Sequence, residues 1–98
     1  MLEKLTIADF QPHINHLFSI RFTPEVVQKA QLISVVAWGS KTDKFRQPFT
    51  LEFETELTQA YYLQGIFELI HPIMGELSLF MVPIGSQGKG MRYEVVIS

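Results

Sequence analysis

Few residues of this chain could do chemistry. His13 and His16 stand three apart in "HINH", and His71 lies far along the sequence. Two imidazoles at that spacing share one side of a helical turn. With His71 or a carboxylate as a third donor they would form part of a metal site, which takes three or four protein ligands. Pro12 precedes them directly, where a helix would be ending, and no HExxH pattern is present. The expectation is therefore no metal and no cofactor. His13 and His16 are read as solvated, and His71 as a strand-end histidine hydrogen-bonded to backbone.

Glu52, Glu54 and Glu56 occupy alternate positions of "LEFETE" and so share one strand face. Paired carboxylates perform acid–base work when their surroundings push their pKa values apart. These three stand opposite Phe49, Leu51 and Phe53, and read more simply as the solvated side of an amphipathic strand. "GSQGKG", residues 85–90, carries three glycines and a lysine. A strand-like "MRYEVVIS" follows it, with no helix N-terminus to hold a phosphate. Its glycines are expected to serve backbone geometry. No GxSxG elbow surrounds any serine, and the chain has no cysteine, hence no thiolate ligand or nucleophile. No catalytic residue is expected, and the protein reads as a non-enzyme.

The elements that would position these residues are mostly strands. "LTIADFQPH" predicts a short helix with Thr6 as cap and Asp9 three positions on, in a capping-box arrangement. Pro12 ends it, and Leu5, Ala8 and Phe10 form its apolar side. In "LFSIRF" Phe18, Ile20 and Phe22 alternate with more polar neighbours, a half-buried strand. "TPEV" is a turn, and "VQKAQLISVVAW" a long strand whose alternation falters around Ile33 to Val36, as at a bulge. "GSKTDKFRQP" reads as a flexible polar loop. "FTLEFE" points Phe49, Leu51 and Phe53 inward. "IFELIH" puts Phe67 and Leu69 on one face, and "MRYEVVIS" does so with Met91, Tyr93, Val95 and Ile97.

"HPIMGE" then reads as a hairpin loop. Pro72 holds His71 extended, and Gly75 adopts positive φ without steric cost. Pro83 marks a strand end or an edge. About six strands, short connections and one short N-terminal helix predict a mainly β fold, a small antiparallel barrel or sandwich.

Size and charge set the outer limits. The 98 residues fit a single domain, residues 1–98, large enough for one modest core. The chain is 47% hydrophobic and 18% charged, with a net charge of −2 and its eight lysines and arginines scattered. Without a clustered basic face, nucleic acid is not an expected partner. No apolar run is long enough to span a membrane, so no insertion is expected. "MLEKLTIADF" lacks the apolar core of a secretory signal, which points to the cytoplasm and leaves export by another route open.

The pattern HPxxGExxLFxVPIG over residues 71–85, with "LTIADF", "PFTLEF" and "YYLQGIFELIHP" before it, resembles an uncharacterised bacterial domain-of-unknown-function family of about 100 residues. Phe67 stands where that family has tyrosine. The resemblance implies no catalytic residues. It implies an accessory or assembly role, since members accompany phage-tail-collar-like surface proteins.

Two groups are candidate interaction residues. Trp38, Tyr61 and Tyr62 lie near strand ends, where aromatics form interface anchors or seal the core. In "LSLFMV", Leu77, Leu79 and Met81 share one face and Phe80 and Val82 the other, so neither face is polar. The second face must be covered by the N-terminal helix, through Leu2, Leu5 and Phe10, or by a second protein chain. The expected function is a non-enzymatic protein-interaction or assembly module, accessory to a bacterial surface or phage tail-like structure. Its partner would be another protein, such as a tail-collar-like one, or a second copy in a homo-oligomer. A β-barrel that binds a small ligand is the alternative.

Overall fold

The computed structural model describes residues 5–39, 47–86 and 88–98. Within them the chain forms α1 (Ile7–Phe10), a 3₁₀ turn (Gln11–His13), β1 (Leu17–Thr23), β2 (Val26–Ala37), β3 (Phe49–Thr55), β4 (Gly65–His71), β5 (Gly75–Ser86) and β6 (Met91–Ile97). The six strands close into a barrel in the order β1-β2-β3-β6-β5-β4, every pair antiparallel. The fold is thus the barrel and not the sandwich. Closure comes from β1 against β4, with Ser19, Ile20 and Arg21 opposite Ile70, Leu69 and Glu68. No helix among the described residues is long and apolar enough to cross a membrane.

The two-residue period accounts for the interior. Phe18, Ile20 and Phe22 of β1 point inward, as do Phe49, Leu51 and Phe53 of β3 and Tyr93, Val95 and Ile97 of β6. Six strands enclose so narrow a space that these side chains fill it. Thr55 is buried, and its hydroxyl donates to the Met91 carbonyl at 2.7 Å and accepts from the Leu57 N–H at 3.2 Å. The register of β2 against β3 shifts between Leu32 and Ser34, so Ile33 is the extra residue where the alternation faltered.

Turn chemistry joins the strands as expected. Pro24 and Glu25 make the two-residue link from β1 to β2, and the Thr23 hydroxyl accepts from the Glu25 and Val26 N–H groups. Pro72 to Met74 link β4 to β5, with His71 opposite Gly75 and Gly75 at φ +82°.

One expectation needs correction and two are refined. Ala8 is exposed, and Ile7 packs on the core in its place beside Leu5 and Phe10. The helix ends at Phe10, because Pro12 suits the tighter 3₁₀ turn that follows. Pro83 does not end β5, which runs on to Ser86. Beyond Met81, however, β5 has no β4 partner, so Pro83 lies on a local edge beside a register shift against β6. Most of the polar loop, residues 40–46, falls outside the described residues, as does Leu2.

Candidate functional site

The outer face of the barrel carries an apolar row in register. Ile66 of β4 is opposite Phe80 of β5. Val96 of β6 is opposite Thr50 of β3, which is opposite Val36 of β2. The Val82–Glu94 pair joins the two sets, because Phe80 and Val96 each lie two places farther along in the same direction. Ile66 is 71% exposed, Phe80 52%, Val96 54% and Val36 53%. Trp38, just past the end of β2, is also exposed, and Val82 is half-buried.

Coverage of Phe80 by the N-terminal helix is therefore overturned. The four residues of α1 are too few to reach across the barrel. Its buried ring, Phe10, packs instead against Phe49 with centroids 5.9 Å apart. Beside Ile66 the wall opens into a shallow depression of about 490 Å³, lined by Arg21, Phe22, Pro24, Phe67 and Glu68 among others. It lies where β1 and β4 part company beyond the Arg21–Glu68 pair.

Charged residues of the wall are engaged with one another. Arg92 of β6 reaches Glu52 at 3.3 Å and Glu54 at 3.2 Å, both on β3. Arg21 pairs with Glu68 and approaches Glu76 at 3.9 Å. Glu52 and Glu54 thus form a cross-strand ion network on the outer face, and Glu56 lies exposed past the strand end. One guanidinium thus serves both carboxylates, with the Glu54 side chain the more shielded of the two at 13% exposed against 26% for Glu52. In "GSQGKG" the closest fit is at Gly90, where a Cβ would lie 2.4 Å from the Thr55 carbonyl oxygen and 2.9 Å from Leu57 backbone. That glycine permits chain packing.

Tyr61 is exposed, whereas Tyr62 closes one end of the barrel. Its ring stacks on Phe22 with centroids 4.7 Å apart and planes 10° from parallel. The Tyr93 hydroxyl accepts from the Tyr62 N–H at 2.8 Å and donates to the Tyr62 carbonyl at 2.7 Å. Burial pushes the Tyr93 pKa above the ordinary tyrosine value. Phe67 adds an edge contact to Phe22 at 4.9 Å.

The other end brings all three histidines together, a cluster that sequence spacing did not reveal. One nitrogen of each ring lies within 4.8 Å of the others. His13 and His16 share a hydrogen bond between their Nδ1 atoms at 3.2 Å. The His13 and His71 rings are 4.5 Å apart, and His71 packs on Phe18 at the same distance. His71 is buried, and its Nδ1 accepts from the Ile73 N–H at 3.1 Å and the Met74 N–H at 3.3 Å. The backbone-bonded strand-end histidine expected from sequence is present.

These contacts decide what the cluster can hold. An Nδ1 that accepts two N–H groups carries no proton, so the neutral His71 ring keeps its proton on Nε2. A metal drawn to Nε2 would push that proton onto Nδ1, against both loop N–H groups. The three rings could meet on a metal ion only at the cost of those two loop hydrogen bonds. Burial, then the neighbouring His13 and His16, lowers the His71 pKa below its ordinary value.

No curated protein and no solved structure matches the chain. A family model described as "Domain of unknown function (DUF6916)" matches residues 5–97, nearly the whole length, and the chain belongs to that family.

Proposed function

We propose that the protein is a non-enzymatic interaction module that docks another protein on the outer face of β4, β5 and β6. The observation that carries this reading is the exposed apolar row of Ile66, Phe80, Val96 and Val36. Contiguous exposed apolar surface on a small domain marks a docking site. The depression beside Ile66 gives a partner's side chain a place to anchor, as interface hot spots require. The small-ligand alternative has less support, because among the described residues aromatic and aliphatic side chains pack the barrel interior. A role beside a tail-collar-like surface protein rests on the sequence resemblance alone.

The test compares the full chain with Ile66→Glu and Phe80→Glu. Sedimentation velocity over a hundredfold concentration range separates self-association from docking of a different chain. Affinity capture from the native host, with each variant alongside, then follows the partner. A protein bound at a defined ratio by the wild type and lost from both variants supports the reading. Equal binding by the folded variants, or a wild type that neither self-associates nor captures a chain, overturns it.

A further inference from the structure

We propose that His13, His16 and His71 bind one divalent metal ion of the zinc class, and that its arrival detaches the β4–β5 hairpin loop from the His71 ring. The site is separate from the apolar row and stands or falls without it.

Ligand geometry carries the proposal. The Nδ1 atoms of His13 and His16 lie 3.2 Å apart. Two imidazole nitrogens held at about 2.0–2.1 Å from one tetrahedral ion lie about 3.3 Å from each other. The pair is already at the spacing of two ligands, with a shared proton where the ion would sit. One nitrogen of His71 completes a set whose members all lie within 4.8 Å of one another. His16 is exposed, so a rotation of its ring can close the remaining distance. A set made of imidazoles alone favours zinc, cobalt, nickel or copper over calcium or magnesium. Three protein ligands leave the fourth position to water.

The backbone holds this arrangement. The His16 N–H donates to the His13 carbonyl at 3.0 Å, which curls the chain between the two rings. The Asn15 N–H donates to the Leu32 carbonyl at 2.7 Å, and the Leu32 N–H to the His16 carbonyl at 3.1 Å, fastening that curl to β2. Asn15 sits at φ +73°, a conformation side-chain-bearing residues seldom adopt. Backbone strain of this kind gathers where side chains are held for a ligand. His71 comes from the end of β4, with its ring on Phe18. Sequence spacing offers two ligands, and closure of β4 onto β1 supplies the third.

The protons balance without any leaving. Three neutral rings carry three protons. Whichever of His13 and His16 donates in the Nδ1–Nδ1 bond moves its proton to Nε2, which frees both Nδ1 atoms for the ion. His71 moves its proton from Nε2 to Nδ1 and ligates through Nε2. A protonated Nδ1 no longer accepts from the Ile73 and Met74 N–H groups, 3.1 and 3.3 Å away. Ile73 is exposed, so water can take the place of the lost acceptor. The hairpin therefore reports the ion through the bonds it loses.

Calorimetric titration of zinc into the full chain, freed of any tag and dialysed against chelator, tests this. One ion per chain is expected. His16→Ala and His71→Ala should each weaken binding at least about tenfold, the loss that even an outer partner of a ligand causes. Cobalt in place of zinc should show the intense visible bands of a four-coordinate ion. With zinc, the Ile73 and Met74 amide resonances should shift and exchange faster with solvent, while those of Leu51 and Val95 stay unchanged.

Should His71→Ala not fold, the exposed His16→Ala and the wild-type amides decide. Three results overturn the site. One is the absence of saturable binding at one ion per chain. Another is an affinity unchanged in His16→Ala. The third is bound zinc with the Ile73 and Met74 amides unmoved, because the ion then sits on His13 and His16 without His71.

Discussion

The two ends of the β1–β4 pair close in the same way with different chemistry. At one end Phe22 carries Tyr62, clamped by the Tyr93 hydroxyl. At the other Phe18 carries His71, capping the hairpin and touching His13. Each closure is an aromatic platform under a hydrogen-bonded ring. The difference lies in where the closing group ionises. A raised Tyr93 pKa means that its contribution is fully present below pH ~10 and is lost as pH rises through the folded value. A lowered His71 pKa means the reverse. Its contribution is present above pH ~6.5 and is lost as pH falls below that, because the unfolded chain then binds more protons. One end keeps its contribution across the physiological range, and the other begins to lose it as pH falls below ~6.5.

The largest expected effects come from the two platforms. Phe18 and Phe22 are both buried. Phe18→Ala and Phe22→Ala should each cost about 3–5 kcal/mol in urea unfolding at pH 8. At pH 5.5 the costs should diverge. Loss of Phe18 hydrates His71 and relieves its burial, so that variant should lose less than at pH 8. The Phe22 variant should lose the same at both. Equal pH dependence in the two variants breaks the distinction between the ends.

Tyr93→Phe comes next. It removes an oxygen that both donates to and accepts from Tyr62 backbone in a partly buried site. Leaving those groups unmatched should cost about 1–3 kcal/mol. The wild type should also weaken between pH 8 and pH 11 more than the variant, which has no phenol at that site. Thermal melts at both pH values check this, and an alkaline loss undiminished in the variant assigns it elsewhere.

Gly75 tests the hairpin on which His71 depends. No atom lies within 4 Å of a Cβ built there, so the cost of a side chain is conformational, set by φ +82°. Gly75→Val should lose about 1–2 kcal/mol, seen as a lower melting temperature. An unchanged melt removes the turn geometry from the account of the histidine end.

That hairpin also shows what was legible in the sequence. Alternation placed Phe18, Ile20 and Phe22 inward, and Phe49, Leu51 and Phe53 likewise, because a period of two assigns a residue to a face without knowing its neighbours. Pro72 and Gly75 gave the turn for the same local reason. The His13–His71 contact was not legible. It depends on β4 returning to β1 to close the barrel, with Ser19 opposite Ile70, and no local period encodes that pairing. Pro83 was half legible: its missing N–H marked an edge, but which stretch of β5 lacks a partner depends on where β4 begins. In the apolar row, the lack of a polar face on "LSLFMV" singled out Phe80. Its company with Ile66 and Val96 required the register.

The smallest expected change in stability is at Phe80. Its inward neighbours Leu79 and Met81 are buried, while Phe80 itself is half exposed on the wall. An interior phenylalanine would cost about 3–5 kcal/mol on truncation to alanine, but a surface one away from special contacts falls within about ±0.5 kcal/mol. Phe80→Ala should therefore leave the urea midpoint nearly unchanged at both pH 8 and pH 5.5, unlike either platform variant. Its effect should appear in association, as a weaker complex at the Ile66–Phe80 face. A stability loss above about 2 kcal/mol would show that Phe80 supports the fold from a site most of its ring does not touch. The apolar row would then lose its standing as a surface kept for a partner. Retained stability with weakened association would separate the wall, which recognises, from the two ends, which hold the barrel shut.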